Sequence, residues 1–273
     1  MKYIVSTTNR LDIMCDAIHF PAHTSFAGLS SWCPDWSYVP ESVPLQYRHK
    51  FSASGDPVAK YTFFQDQRRL EISGIHLDIV DVHGIAVGTL TTIADYLMAF
   101  LHWLALLLDH FHLEDGDSTH SLQTAFCRTI CMEKLPTDSS PERWVGTCYR
   151  IFTTMIHEQL PRVAVDEGLK GYVQANVSEE DRKFFREQVC TRMMARCLCI
   201  TKQGYIGIGS GYMVAGDLVV VPLGCATPVL LRPEGRCGEY RFVGDVYVDK
   251  FMHGEVMQMW KEGKAQLRKY VLH

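Results

Sequence analysis

Between Thr201 and Glu255 no apolar run lasts long enough to build a helix before a glycine or proline interrupts it. Short β-rich runs alternate with Gly-Asp, Pro and Gly punctuation about every 8–12 residues, the spacing of a small β meander or barrel. The pattern predicts strands over Gly204–Ile208, Asp217–Pro222, Pro228–Leu231 and Tyr240–Val248. Their inward faces would carry Tyr205, Val219, Val221, Leu230, Phe242, Val246 and Val248. The glycines at 204, 207, 209, 211, 216, 224 and 244 fall where a turn needs positive φ or where two backbones approach closely.

A second β segment is expected over Tyr47–Val87, with strands at Tyr47–Phe51, Ala59–Phe64 and Arg69–Val80 and turns at Ser54–Pro57 and Gln65–Gln67. If these strands pair with the C-terminal ones, the helical middle becomes an insertion in one sheet. That middle reads as helices over Leu90–His112, Ser118–Met132 and Glu142–Gln159. A fourth, over Glu179–Met194, opens on the capping box Ser178-Glu-Glu-Asp181. Near the N-terminus a helix over Arg10–Ile18 is expected. The fold class is therefore α+β: a β-rich N-terminal segment (1–88), a helical middle (89–196) and a C-terminal small β meander or barrel (197–273). The three are expected to form one intertwined domain.

Composition narrows the function classes. With 273 residues, 47% hydrophobic and 21% charged, the chain can bury a sizeable core. A formal net charge of −4 gives no electrostatic footprint for nucleic acid or an anionic membrane. The stretch Lys261–Lys269 is read as a solvated helix or tail. Tyr96–Leu108 is the most apolar run, but its 13 residues between Asp95 and Asp109 fall short of the roughly 20 needed to span hydrocarbon, so it is read as a core helix. Ten cysteines without an apolar leader in MKYIVSTTNR suggest free thiols in a reducing cytoplasm rather than a disulfide framework. Neither Cys127-x3-Cys131 nor Cys197-Leu-Cys199 belongs to a paired Cys-x2-Cys set, so no metal site is expected.

Candidate chemistry is sparse. Gly207-Ile-Gly209-Ser-Gly211 lacks the following helix that a phosphate-binding glycine loop requires, and reads as a β-turn. Gly-x-Ser-x-Gly does not occur. The acidic turn after Leu113 lacks the alternation of a calcium loop and reads as solvated. His102 and the His110–His112 pair lie in or beside the apolar helix, where core histidines are the ordinary reading. His253 and Glu255 could form an acid/base pair if the segment is extended; at the first turn of a helix, Glu255 would instead satisfy backbone amides. Arg232 could pair with Asp217 or with Glu255. Trp32 and Trp36, split by Pro34, would pin their loop to the body, with Asp35 capping nearby amides; a cation held between the two indoles is the other reading.

Several of these blocks together resemble one family. The blocks are Ser31-Trp32-Cys33-Pro34-Asp35-Trp36-Ser37 after Leu11-Asp12-Ile13-Met14, then Phe51–Gly55 and Leu70–Asp78. Gly204–Gly207, Gly216-Asp217, Pro228–Pro233, Gly244–Val248 and Met252–Glu255 follow in order. The chain resembles the C-terminal region of fungal heterokaryon-incompatibility (HET) proteins, with nothing in it corresponding to their N-terminal HET domain.

The resemblance implies a non-catalytic interaction or regulatory protein, cytoplasmic and fungal, acting in self/nonself recognition. Its partner would be a HET-domain protein or another protein effector, with no cofactor, nucleic acid or membrane. Ligand or partner contacts are expected at Trp32, Asp35, Trp36, Asp78, Tyr205 and Tyr247. The alternative is a cofactor-independent cyclase or isomerase of fungal secondary metabolism acting on a small molecule. Asp217, Arg232, His253 and Glu255 are its candidate catalytic groups, and it demands an enclosed apolar pocket lined by Trp, Tyr and Phe.

Overall fold

The computed structural model describes residues 1–17, 28–37, 43–47, 50–65, 68–88, 92–111, 116–137, 139–164, 167–172, 177–234 and 238–273. In chain order the regular elements are α1 (Lys2–Thr8), β1 (Tyr61–Phe63), β2 (Leu70–His83), α2 (Ile93–Phe111), α3 (Gly116–Cys131), α4 (Pro141–Gln159), α5 (Glu167–Lys170) and α6 (Glu179–Phe184). They continue with β3 (Arg196–Thr201), β4 (Ile206–Ser210), β5 (Leu218–Pro222), β6 (Val229–Glu234), β7 (Glu239–Val248), α7 (Glu255–Lys261) and β8 (Leu267–Leu272). The chain divides into two compact units: Met1–His83 with Cys199–His273, and Gly84–Leu198.

The first unit is built on a closed ring of strands in the order β2-β3-β4-β7-β6-β5, with β5 pairing back onto β2. Two β segments far apart in sequence thus share one sheet, because β2 pairs antiparallel with β5 over Gly74–Ile79. Closure removes the free edges that a four-stranded meander would expose. The ring is completed twice on one side. The β3–β4 hairpin joins the C-terminal ends of β2 and β7. β8 joins their N-terminal ends, antiparallel to β2 and parallel to β7. β1 extends the sheet along the other edge of β2. Val219, Val221, Leu230, Phe242, Val246 and Val248 are buried as expected, but so are Val220, Leu231, Val243 and Tyr247 between them, while Tyr205 is half-buried and stacks edge-on against Phe251.

Gly207 and Gly209 lie within β4 rather than in a β-turn. A Cβ on Gly207 would come 2.5 Å from the Tyr247 carbonyl oxygen, so the glycine is there to let two backbones meet. Other expectations also shift. The N-terminal helix over Arg10–Ile18 reduces to a 3-10 turn, Asp12–Asp16, and Ile18 lies outside the described residues. Tyr47 closes a second 3-10 turn, Leu45–Tyr47, instead of opening a strand. The basic stretch ends α7 and then enters β8, where Lys269 meets Glu71 across the strand pair at 2.8 Å.

The second unit is helical. α2 is long and apolar enough by length and composition to cross a membrane. Tyr96, Leu97, Phe100, Trp103, Leu104 and Leu107 on it are nonetheless buried, and Phe100 packs its ring against Trp103, Phe152 and Phe185. α4 starts where Ser140 accepts the Arg143 amide and Pro141 takes the first helical position, as capping chemistry favours. The expected helix over Glu179–Met194 keeps its Ser178 cap but is α-helical only to Phe184. A π-turn (Phe185–Val189) and a 3-10 turn (Cys190–Arg192) follow. Phe185, Val189, Cys190 and Met193 are all buried along this stretch. Leu90 and residues 112–115 lie outside the described residues, and the rest of the expected acidic turn, from Gly116, is the start of α3.

Candidate functional site

The polar residues of the family-like blocks hold the ring's turns. Asp217, fully buried, accepts from Arg232 at 2.8 and 3.0 Å and from the Val214 amide at 2.9 Å. Arg232 also donates to the Tyr212 carbonyl at 2.7 Å, so the pair ties the β4–β5 connection to β6. The carboxylate raises the Arg232 guanidinium above its usual range. Of its two expected partners, Arg232 thus takes Asp217.

Glu255 occupies the first turn of α7, and its carboxylate accepts the His253 amide at 2.8 Å. The His253 ring sits edge-on to Phe51, with centroids 5.9 Å apart. Glu255 thus stands as an acidic residue in the first turn of α7, and it bonds the backbone of His253 ahead of the helix. Asp78 is buried and accepts the Gln203 amide at 2.8 Å, fastening the β3–β4 turn. Tyr205 donates its hydroxyl to Gln203 at 3.2 Å, and Tyr247, buried, donates to Asp249 at 3.3 Å.

The two indoles part company. Trp32 is 3% exposed, packs on Phe63 and donates to the Arg68 carbonyl at 3.4 Å. Trp36 is 62% exposed, so only one of the two expected pins is set, and the rings do not enclose a shared site. Asp35 accepts the Ser37 amide at 3.1 Å and the Ser37 hydroxyl at 2.6 Å, a local cap.

A site that sequence reasoning missed lies where the N-terminal segment crosses the ring. Val5 anchors α1 in the core, and Asn9 ends it in the left-handed conformation. The chain then runs along the β5–β6 turn. The Leu11 amide donates to the Gly224 carbonyl at 2.9 Å, and the Ala226 amide donates to Asp12 at 2.6 Å. Gly224 has φ +77°, and a Cβ on it would lie 2.7 Å from the Ala59 backbone nitrogen, so this crossing requires glycine.

Against this crossing the two 3-10 turns leave an open groove of about 390 Å³, lined by Ile4, Thr8, Arg10, Asp12, Ile13, Gln46, Tyr47 and Ala226. Two of these lining residues are held by Asp16, which accepts from Tyr47 Oη at 3.0 Å and from Gln46 Nε2 at 3.4 Å. Behind it the buried Asp245 accepts the Leu45 amide at 2.6 Å. Burial raises the Asp16 carboxyl above the usual carboxylate range, with Asp245 adding to the effect. Desolvation and the Asp16 carboxylate push the Tyr47 phenol up to about 12. Cys15 lies below, its Sγ 4.0 Å from Cys225 Sγ and 3.6 Å from Thr227 Oγ1. Burial and the neighbouring Cys225 raise the Cys15 thiol, so it is held protonated rather than activated. The one signal in the sequence was the Leu11–Met14 block; nothing local joins it to residues 46, 226 or 245.

Among the described residues no group of three or more His, Cys, Asp or Glu side chains is arranged to hold a metal ion. The second unit has its own small apolar pocket of about 160 Å³, lined by residues that include Cys127, Arg128, Glu133, Leu135, Trp144 and Val145.

Comparison with known proteins bears on the ring. Residues 158–266 match the family model described as the Het-6 beta-barrel domain, a C-terminal region of the HET family. A stretch of 59 residues is 39% identical to the heterokaryon incompatibility protein 6, OR allele, of Neurospora crassa. It covers 21% of this chain and 9% of that protein, so the chain spans less than a tenth of the relative it matches. No solved structure gives a significant match. The resemblance read from the blocks between Gly204 and Glu255 is borne out; the Ser31–Ser37 block lies outside the matched residues.

Proposed function

We propose, from the Het-6 barrel match of residues 158–266, that this chain is a non-catalytic interaction module of heterokaryon-incompatibility type. It acts in self/nonself recognition by binding a HET-domain protein or another protein effector in the fungal cytoplasm. The observation that carries the reading is how the family-like polar groups are used. Asp217, Arg232, Asp78 and Glu255 all spend hydrogen bonds on the barrel's own turns and caps, while two aromatic side chains, Trp36 and Tyr47, stand 62% exposed. Exposed aromatics are the residue type on which protein interfaces concentrate their binding energy.

Calorimetry of the purified chain against a HET-domain protein from the same organism tests it. Saturable binding weakened by Trp36→Ala or Tyr47→Ala is the expected result. A folded chain that binds no such protein would overturn it. The cyclase or isomerase alternative draws less support. The apolar pocket of the second unit has one tryptophan and about 160 Å³, against roughly 300–1,000 Å³ for ordinary small-molecule sites.

A further inference from the structure

We propose that Cys15 and Cys225 form a reversible redox pair, oxidised by a peroxide to a disulfide that staples the N-terminal segment to the β5–β6 turn. The inference is independent of the interaction reading above. It assigns a modification site inside the first unit, whatever the chain binds.

Only the fold brings these two thiols together. They lie 210 positions apart in the chain, yet their sulfurs are 4.0 Å apart and both side chains are fully buried. Each is a free cysteine. A disulfide sets its sulfurs about 2 Å apart, so the pair must close by roughly 2 Å, the scale of a rotamer change at one cysteine. Thr227 Oγ1, 3.6 Å from Cys15 Sγ, supplies a hydroxyl that donates to the sulfur once its proton has left.

Access comes through the crossing. Ile13, two residues before Cys15, and Ala226, next to Cys225, both line the open groove. The segment is held there by the Leu11 amide on the Gly224 carbonyl, the Ala226 amide on Asp12, and the Ala59 amide on the Asn9 carbonyl at 3.0 Å. Opening of those bonds uncovers the sulfurs to a small oxidant from the groove side. Until then Cys225 and burial keep Cys15 protonated, so the reaction waits on the opening. One thiol then attacks hydrogen peroxide, becoming a sulfenic acid and releasing water. The second displaces water from that sulfur and the S–S bond forms. The two thiols lose two electrons and two protons, and one peroxide takes them up as two waters. A dithiol reverses the step by exchange, as a redox signal in a reducing compartment requires.

The test uses the full chain, reduced and folded, treated with hydrogen peroxide and quenched by alkylation. Peptide mapping without reductant is expected to recover the Cys15–Cys225 crosslink, and a dithiol should remove it. Cys127, Cys131 and Cys148 also neighbour one another on α3 and α4, so the crosslink is assigned by peptide and not by loss of thiol. The crosslinked chain should unfold in urea with an equilibrium constant roughly thirty- to a thousandfold smaller, the effect of closing a long loop. In Cys225→Ala that gain should vanish. A second comparison needs no variant: among all crosslinks made by Cys15, the share going to Cys225 should be far higher in the folded chain than in denaturant. No such peptide from the folded chain, an equal share in denaturant, a crosslinked chain no more stable than the reduced one, or a gain that survives in Cys225→Ala would each overturn the proposal.

Discussion

Arg232 and Asp217 give the sharpest test of how the ring is held. Asp217 is fully buried and its carboxylate accepts three hydrogen bonds, two of them from Arg232 and one from the Val214 amide. Arg232→Met keeps the stem and removes the guanidinium, stranding a buried carboxylate and taking a donor from the Tyr212 carbonyl. Breaking a buried pair from one side costs about 3–5 kcal/mol, and the complete burial of Asp217 places this variant near the upper part, about 4. Asp217→Ala should cost nearer 3 kcal/mol, because the Arg232 side chain retains 25% exposure and so keeps some water. Once one charge is gone the other has no partner left to lose. The double variant should therefore cost about 4 rather than the sum of about 7, a coupling near 3 kcal/mol. Urea unfolding of the four proteins, with the slope checked for constancy, measures all of these. A loss below about 1 kcal/mol for Arg232→Met, or additive singles, would refute the assignment of this pair as the clasp between the β4–β5 connection and β6.

Gly224→Ala should lower stability by about 3 kcal/mol or more in the same assay, since a new Cβ meets the Ala59 backbone at a φ of +77°. Trp32→Ala should cost about 3–5 kcal/mol, while Trp36→Ala should stay within about 0.5 of wild type, which thermal unfolding separates directly. The pH dependence of Asp16 has a definite sign. Its folded carboxyl is raised, so the protonated form is favoured in the fold; that stability is present below the unfolded value near 4 and lost as pH rises through the folded one. Asp16→Asn should therefore gain stability relative to wild type between pH 4 and 7, by less than about 1 kcal/mol because the group is half exposed. A relative loss over that range would contradict the burial argument.

Where a signal was local, the sequence carried it. The β-branched runs of β5 and β7 and the Gly and Pro that bound them are signals a few positions long, and both strands appear within a residue of their expected bounds. Ser178 and the Ser140-Pro141 step mark helix starts by the same kind of short-range chemistry. β8 was hidden because Arg268 and Lys269 make it read as a solvated tail, yet Lys269 sits opposite Ser73 and reaches diagonally to an ion pair with Glu71, 198 positions away. Trp32 and Trp36 are indistinguishable as residue types; only the packing of Phe63 and the Arg68 carbonyl against the first decides which is buried.

The sequence by itself determined the α+β class, the positions of β5 and β7 and of the Ser178 cap, and the likeness of the C-terminal blocks to HET proteins, because each is written in residue spacing or in ordered motifs. Tertiary structure alone decided that the ring closes through β2, whose residues 70–83 lie outside the 158–266 match. It also chose Asp217 over Glu255 for Arg232, and assembled the groove from residues near 12, 46 and 226. Those outcomes turn on which distant backbones meet, and strand pairing across more than a hundred residues leaves no periodic trace in either partner.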